Sequence, residues 1–363
     1  PLILLLLCAA SLSSGCDSYD ESLLSGNAQG CADGAAKPPS PPTIVATGEN
    51  VPEVVFALRD VTFDQRPTLW QTLGYDLDNR CTDVLNSLSE CLLSASGPQI
   101  DGERGIDNVF GSQLYTLVNL QYEGRPGVMN DTLDLYGKDT QASGESVIIV
   151  RIRNWNGEAN DERVTVDIST TVFGLPGDGS DTAPDPAPCA DGAGEDCVPG
   201  WAGTGDDWFW VREDSFLVGD LAQPKIVDEN AYITDNTFVM RIPDRAQIRF
   251  TGSILGLSVA LTQGIATARI SEDRQTLTAV VSGRWAKNDL IETAENVGVC
   301  AGTPTFDALL LALNAMLDVR SDPETAAPDV PCDAISMAIG FNGFRARVAG
   351  LEPGPEVPSG CPQ

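Results

Sequence analysis

The chain has 363 residues, with 52 acidic side chains against 22 basic ones and a formal charge of −30. A surface of that sign repels nucleic acid and anionic headgroups and suits cations or basic partners, so no nucleic-acid role is expected. Histidine is absent, which removes Ser-His-Asp and Cys-His nucleophiles and any zinc site built on imidazole.

An apolar run from Ile3 to Leu7 is followed by small residues and Cys16. Residues 1–15 read as an export signal with a small-residue cleavage site. The run is well short of the roughly 20 residues that span a bilayer. Residues 16–50 are rich in Ser, Gly, Ala and Pro, include Lys37-Pro38-Pro39-Ser40-Pro41-Pro42, and read as a flexible tether.

Residues 51–363 read as one β-rich domain. Runs rich in Val, Ile, Thr and aromatics, separated by Gly, Asp and Asn, predict strands over 54–63, 147–154, 163–173, 208–212 and 215–218, then 231–242, 246–250, 254–261, 265–270 and 276–285. Ala266, Ala268 and Ile270 face Leu277, Ala279 and Val281 across the polar link 271–275, a hairpin pattern. Further on, Ile335, Met337, Ile339 and Phe341 share a face before the apolar phase slips to Phe344, Ala346 and Val348. A turn at Asn342-Gly343 pairing Phe341 with Phe344 accounts for the slip; a continuous strand bulged at Gly343 is the competing reading. Residues 174–207, dominated by Gly, Asp, Pro and Ala, read as an inserted loop. The fold class expected is mainly β: an antiparallel β-sandwich of concanavalin-like or jelly-roll type, with a few packed helices and disulfide bracing.

Helices are expected over 82–95, 108–122 and 305–320. The last carries Phe306, Leu309, Leu310, Leu313, Met316 and Leu317 at helical spacing, with Thr303 before Pro304 as its start.

Ten cysteines are present. Cys8 leaves with the signal, and without Cys16 eight remain, an even set that in an exported protein reads as disulfides. Nearness along the chain favours Cys81–Cys91, Cys189–Cys197 and Cys300–Cys332, leaving Cys31–Cys361 to tie the ends. An unbroken helix over 82–95 would hold Cys81 and Cys91 about 15 Å apart, beyond disulfide reach. That helix and that bridge therefore exclude each other unless the helix is broken or starts late.

Two stretches carry alternating oxygen donors: Asp76-Leu77-Asp78-Asn79, and Asp101-Gly102-Glu103 leading to Asp107-Asn108. Hard cations take several oxygens from a turn, so Asp76, Asp78, Asp101 and Asp107 are candidate calcium ligands. The plainer reading makes them turn and cap residues, with Asp107 or Asn108 capping the helix that follows. In the loop after residue 154, Trp155, Asn156, Asn160 and Asp161 combine an aromatic ring with amides and a carboxylate, a set suited to a sugar. Trp201, Trp208 and Trp210 are a second candidate surface. The plainer reading buries these rings.

Ser13-Ser14-Gly15-Cys16 resembles the lipobox of bacterial lipoproteins. The resemblance implies that Cys16 is acylated and leads the mature chain, anchored to a membrane of the cell envelope through its N-terminal lipid, on the periplasmic or surface side. An ordinary secretory signal, with Cys16 in a disulfide, is the alternative. Asp76-Leu77-Asp78 leading into Cys81-Thr82, then Gly105-Ile106-Asp107-Asn108-x-Phe110, then Cys332-Asp333-Ala334-Ile335-Ser336-x-Ala338-Ile339-Gly340-Phe341, is similar to uncharacterised lipoproteins of myxobacteria and their relatives. That family brings no function with it. The expectation is an exported, lipid-anchored, non-enzymatic binding protein, with carbohydrate as ligand class, calcium as cofactor and a glycan or envelope partner. A carboxylate-pair glycan-active enzyme and a structural envelope component without small ligand are the two alternatives.

Overall fold

Strands that alternate apolar and polar residues must bury one face, and here they do so by closing on themselves. The computed structural model describes residues 31, 33–44, 48–83, 88–94, 99–116, 144–186, 189, 200–251, 256–354 and 360–361. Cys16, the expected signal and most of the expected tether lie outside them. Eleven strands follow in chain order: β1 (Val54–Thr62), β2 (Ile148–Arg153), β3 (Asp161–Leu175), β4 (Trp208–Arg212), β5 (Ile226–Thr234), β6 (Thr237–Ile242), β7 (Gln247–Thr251), β8 (Gly256–Ile270), β9 (Thr276–Ala286), β10 (Ala334–Arg345) and β11 (Arg347–Glu352). Eight of them pair in the cycle β1-β10-β9-β8-β6-β5-β3-β2, antiparallel throughout, and β2 returns to β1. This is a closed barrel, not the expected sandwich.

Long strands explain the difference. The 15-residue β3 pairs with β5 through its first half and with β4 through its last residues. The 15-residue β8 pairs first with β7 and then with β6. It bends at Gln263, whose φ is 49°, where its register against β9 shifts. Such irregularities turn a sheet's corner and let it close instead of splitting into two stacked layers.

Inward residues form one core: Val54, Phe56 and Leu58 on β1, Ile148, Val150 and Ile152 on β2, and Ile335, Met337, Ile339 and Phe341 on β10, with their counterparts around the ring. Outward positions such as Arg241, Arg269 and Thr278 are exposed. An apolar lumen with a polar exterior is the reverse of a membrane-spanning barrel. On one flank the outer wall is apolar too, where Trp201, Phe209, Val211 and Phe216 cover Val55, Ala57 and Ile149. Trp155, 1% exposed, closes one mouth. Phe110 and Leu114, on a short π-helical turn (Phe110–Leu114), close the other beside Trp285.

The 266–281 hairpin forms with Ile270 opposite Leu277. The Asn342-Gly343 turn does not form. β10 runs unbroken and unbulged against β9, from Ala334 opposite Ala286 to Phe344 opposite Thr276. Gly343 takes an inward position where a Cβ would meet Leu277 and Leu58 at 2.8 and 2.9 Å. The apolar phase slips because Phe344 and Ala346 serve the covered outer flank instead. Residues 231–242 are two strands, hinged at Asp235 and Asn236, both at positive φ. The expected strand over 215–218 is a short 3-10 turn (Glu213–Ser215) and a single bridge at Phe216.

Helix α1 (Lys287–Asn296) was not expected; α2 (Pro304–Met316) was, and it starts where predicted, with the Thr303 hydroxyl accepting from the Phe306 amide at 3.3 Å. No described residue of 82–95 is helical.

The disulfides correct three expected pairs. Cys31 bonds Cys81, not Cys361; Cys91 bonds Cys332, not Cys81; Cys300 bonds Cys361, not Cys332. Chain nearness fails because the segments around residues 31, 80 and 105 pack together on the wall, and Leu92 bridges Pro331 in a two-residue parallel contact. Cys189 is disulfide-bonded; Cys197, its expected partner, lies outside the described residues.

Replacing Trp155 by Ala opens one mouth of the barrel. Chemical denaturation is expected to show a loss of about 3–5 kcal/mol, against a negligible change for the exposed Thr278→Ala.

Candidate metal centre

β1 turns away from β10 early. Their register ends at Thr62 opposite Gly340, just after a bulge at Asp60 and Val61. The β10 backbone from Ala334 to Ala338 therefore needs other partners, since buried amides do not go unpaired. Three chain segments supply them. Val319 O accepts from the Ala334 amide at 3.0 Å, and Asp318 Oδ1 from the Ser336 amide at 2.8 Å. Asn108 Oδ1 accepts from the Ala338 amide at 3.2 Å, while Gln65 Nε2 donates to Ala338 O at 2.7 Å. Asn108 Oδ1 also caps the π-helical turn, accepting from the Gly111 amide at 3.0 Å. The capping role expected of Asp107 or Asn108 thus falls to Asn108, and Asp107 is left to face the other way.

Asp107 is buried, and its amide donates to Tyr75 O at 3.1 Å. Its Oδ2 accepts from the amides of Leu77 (2.6 Å) and Asp78 (3.3 Å), drawing the Asp76–Asp78 loop against it. Asp78 Oδ1 accepts from the Arg80 amide at 2.9 Å, an Asx turn of the kind that recurs in loops. Asp76 is fully buried, and neither of its carboxylate oxygens accepts a hydrogen bond among the described residues. One ligand oxygen from each of Asp76, Asp78 and Asp107 can be chosen so that all three lie within 4.8 Å of one another. The cluster can hold a metal ion. Its donors are all carboxylate oxygen, and the nearest cysteines, Cys31 and Cys81, are spent in a disulfide. Gly105, at φ +78°, lets the chain pass that disulfide; a Cβ there would lie 2.6 Å from Cys81 Sγ.

Asp101, the fourth expected ligand, stands beside this triad rather than in it. It clasps Thr82, whose amide donates to Asp101 Oδ2 at 2.5 Å while the Asp101 amide donates to Thr82 O at 3.1 Å. Four further charges surround the cluster, and the sequence reading passed over them. Lys37 Nζ lies 3.6 Å from Asp76 Oδ2. Arg284, outward on β9 and 1% exposed, binds both oxygens of buried Glu90 and also Leu77 O. Asp318 takes the Ser336 hydroxyl at 2.6 Å. A clue was present: Arg284 interrupts an apolar strand immediately before Trp285.

Burial sets the electrostatics. It pushes Asp76 up to about 6 against the pull of Lys37, and Asp78 up to about 8 with Glu90 and Asp76 adding repulsion. Burial likewise raises Asp101 to about 8, Asp318 to about 7, and Asp107 well above the carboxylate range. So many acids in one pocket resist losing their protons together, unless a cation joins them.

The second expected site has the opposite character. The Trp155 ring is buried under the Arg274 guanidinium, 4.9 Å from its centroid, and its Nε1 donates to Glu158 O at 2.9 Å. Asn156 Nδ2 donates to Asn160 O at 3.2 Å, and Asp161 Oδ2 accepts from the Asn156 amide at 2.8 Å. Asn160 Oδ1 accepts from the Asp235 amide at 3.0 Å. These groups hold a loop shut, and the ring offers no stacking face. Trp201 and Trp210 are buried as well, and Trp208 lies beneath Arg347.

Comparison with protein-family models, curated proteins and solved structures gives no match.

Raised carboxyl pKa values mean that the folded chain keeps protons the unfolded chain releases near pH 4. Without a divalent ion this contribution is complete below about pH 4 and is lost as pH rises through about 6 to about 8. Thermal melts in chelator are expected to show Tm falling from pH 5 to pH 8, with a shallower fall for Asp78→Asn.

Proposed function

We propose that this is an exported, lipid-anchored barrel of the cell envelope whose outer wall is braced by a bound divalent cation, Ca2+, on Asp76, Asp78 and Asp107. The observation that carries the reading is Asp76. A carboxylate with no exposed surface, no hydrogen bond on either oxygen and only the Lys37 ammonium 3.6 Å away to offset its charge is costly to keep ionised. A metal ion supplies what the protein withholds.

Calcium is favoured over magnesium by the character of the site. Mg2+ keeps several of its waters and demands near-octahedral geometry, whereas Ca2+ accepts irregular sets of protein oxygens. Asp76 and Asp107 are buried, which leaves little room for a hydrated ion. Zinc is disfavoured, since no imidazole exists and the neighbouring thiols are oxidised.

Export is supported by the three disulfides among the described residues, which persist in oxidising compartments. The lipid anchor rests on Ser-Ser-Gly-Cys16. The role is a non-enzymatic one: the carboxylates of the cluster are engaged in holding chain segments together, and Trp155 serves the barrel rather than a sugar.

Metal analysis of the purified full chain is expected to find about one Ca2+ per molecule. After chelation, added CaCl2 should raise Tm by several degrees, and Asp76→Asn should abolish the gain while Asp273→Asn, in the exposed 271–275 turn, keeps it. A chain whose melting ignores both chelator and CaCl2 would overturn the reading. Mass spectrometry of the same preparation tests the anchor, with an acylated Cys16 expected at the mature N-terminus.

A further inference from the structure

The segment expected to be a tether contributes a charge to the cluster. Residues 33–39 lie along the wall, with the Asp76 amide donating to Ala36 O at 2.8 Å and the Tyr232 hydroxyl donating to Pro39 O at 2.5 Å. This lays Lys37 across the Asp76–Asn79 loop. Its side chain is only 7% exposed. Nζ donates to Asp76 O at 2.8 Å and to Asn79 Oδ1 at 2.6 Å, and stands 3.6 Å from Asp76 Oδ2. A carbonyl, an amide oxygen and a carboxylate are the oxygens a hard cation seeks.

We propose that Lys37 sets the charge selectivity of the cation site, an inference that rests on the Asp76–Asp78–Asp107 reading above. Three ionised carboxylates and one ammonium leave two negative charges, which a divalent ion neutralises and a trivalent ion overshoots. The other cations nearby, Arg284 and Arg80, act on Asp78 through space but spend their side-chain hydrogen bonds on other groups. The Arg284 guanidinium is taken by Glu90 and by the carbonyls of Leu77 and Arg320, and Arg80 Nη1 donates to Ser89 O at 2.6 Å. Lys37 is thus a specificity-determining residue and not a ligand. Its effect on a bound ion scales with that ion's charge, because the repulsion between two charges is proportional to their product.

The scaling gives the test. Calorimetric titration of the full chain with CaCl2 and, separately, TbCl3 is compared for wild type, Lys37→Met, Lys37→Gln and Lys37→Arg. Loss of the ammonium should tighten Ca2+ by roughly tenfold or more, and Tb3+ by about one and a half times as many log units, in the ratio of the ionic charges. Lys37→Arg keeps the charge and should retain the wild-type preference. Were Lys37 only a pin holding the strap to the loop, both neutral variants would bind both ions more weakly, and by equal factors; that result overturns the proposal. So does an unchanged Tb3+ to Ca2+ ratio, or a shift in Lys37→Arg matching that of Lys37→Met. A wild-type chain that binds neither ion removes the cation site itself, a failure separate from these. If Lys37→Met does not fold, the glutamine and arginine variants carry the same comparison.

Discussion

The structure turns on an unfinished strand pairing. β1 and β10 part company at Gly340, and the exposed run of β10 amides has to be satisfied by something other than a strand. Asn108, Asp318, Gln65 and Val319 do it from three distant parts of the chain. Each is fixed in place by geometry that a backbone dictates. Asn108 commits the next residue back, Asp107, to the wall, and Asp107 in turn collects the amides of Leu77 and Asp78. The carboxylate cluster is thus a consequence of how the barrel closes.

This arrangement sets two large effects against each other. Backbone satisfaction requires acidic and amide side chains in a buried seam. Burial penalises their charge, as the raised pKa values of Asp78, Asp101 and Asp318 record. In a chain with 52 acids and 22 bases, positive charge is scarce. Arg284 and Lys37 are both buried here, and burying a charge is tolerable only when it is paired. Their placement beside Glu90 and Asp76 accounts for why an arginine interrupts β9 and why a proline-rich leader packs against the barrel.

What was legible in the sequence follows from what is local. The sequence shows β4 as a run of aromatic and apolar residues, the 266–281 hairpin as alternation, and α2 as an apolar stripe with a Thr303 cap, because neighbours in sequence decide them. Asp76, Asp78, Asp101 and Asp107 are readable as candidate ligands from residue type, and the fold brings the first two and the last together. Closure was not readable: β3 meets β5 across an intervening segment of some fifty residues, and the same alternating pattern serves a sandwich equally well. The Asn342-Gly343 dipeptide carried a hairpin signal that the tertiary context overrode, since Gly343 is there for its lack of a side chain between Leu58 and Leu277. Trp155 was ambiguous by nature, because a ring that stacks on a sugar and a ring that plugs a barrel look alike in sequence.

The cysteine pairs make sense in the same terms. Bonds between chain neighbours would have closed shorter loops and removed less freedom from the unfolded chain. The bonds between described cysteines span 50, 241 and 61 residues, and a longer loop removes more freedom from the unfolded chain. Their location matters as much as their span. Cys31–Cys81 ties the Lys37 strap to the Asp76–Asp78 loop, and Cys91–Cys332 ties Glu90 to the start of β10. These are the segments that carry the crowded acids, and without a cation their mutual repulsion works to separate them. Covalent links hold Asp76, Asp78 and Asp107 near one another whether or not an ion is present, so that the proposed binding of a cation would not first have to assemble its site.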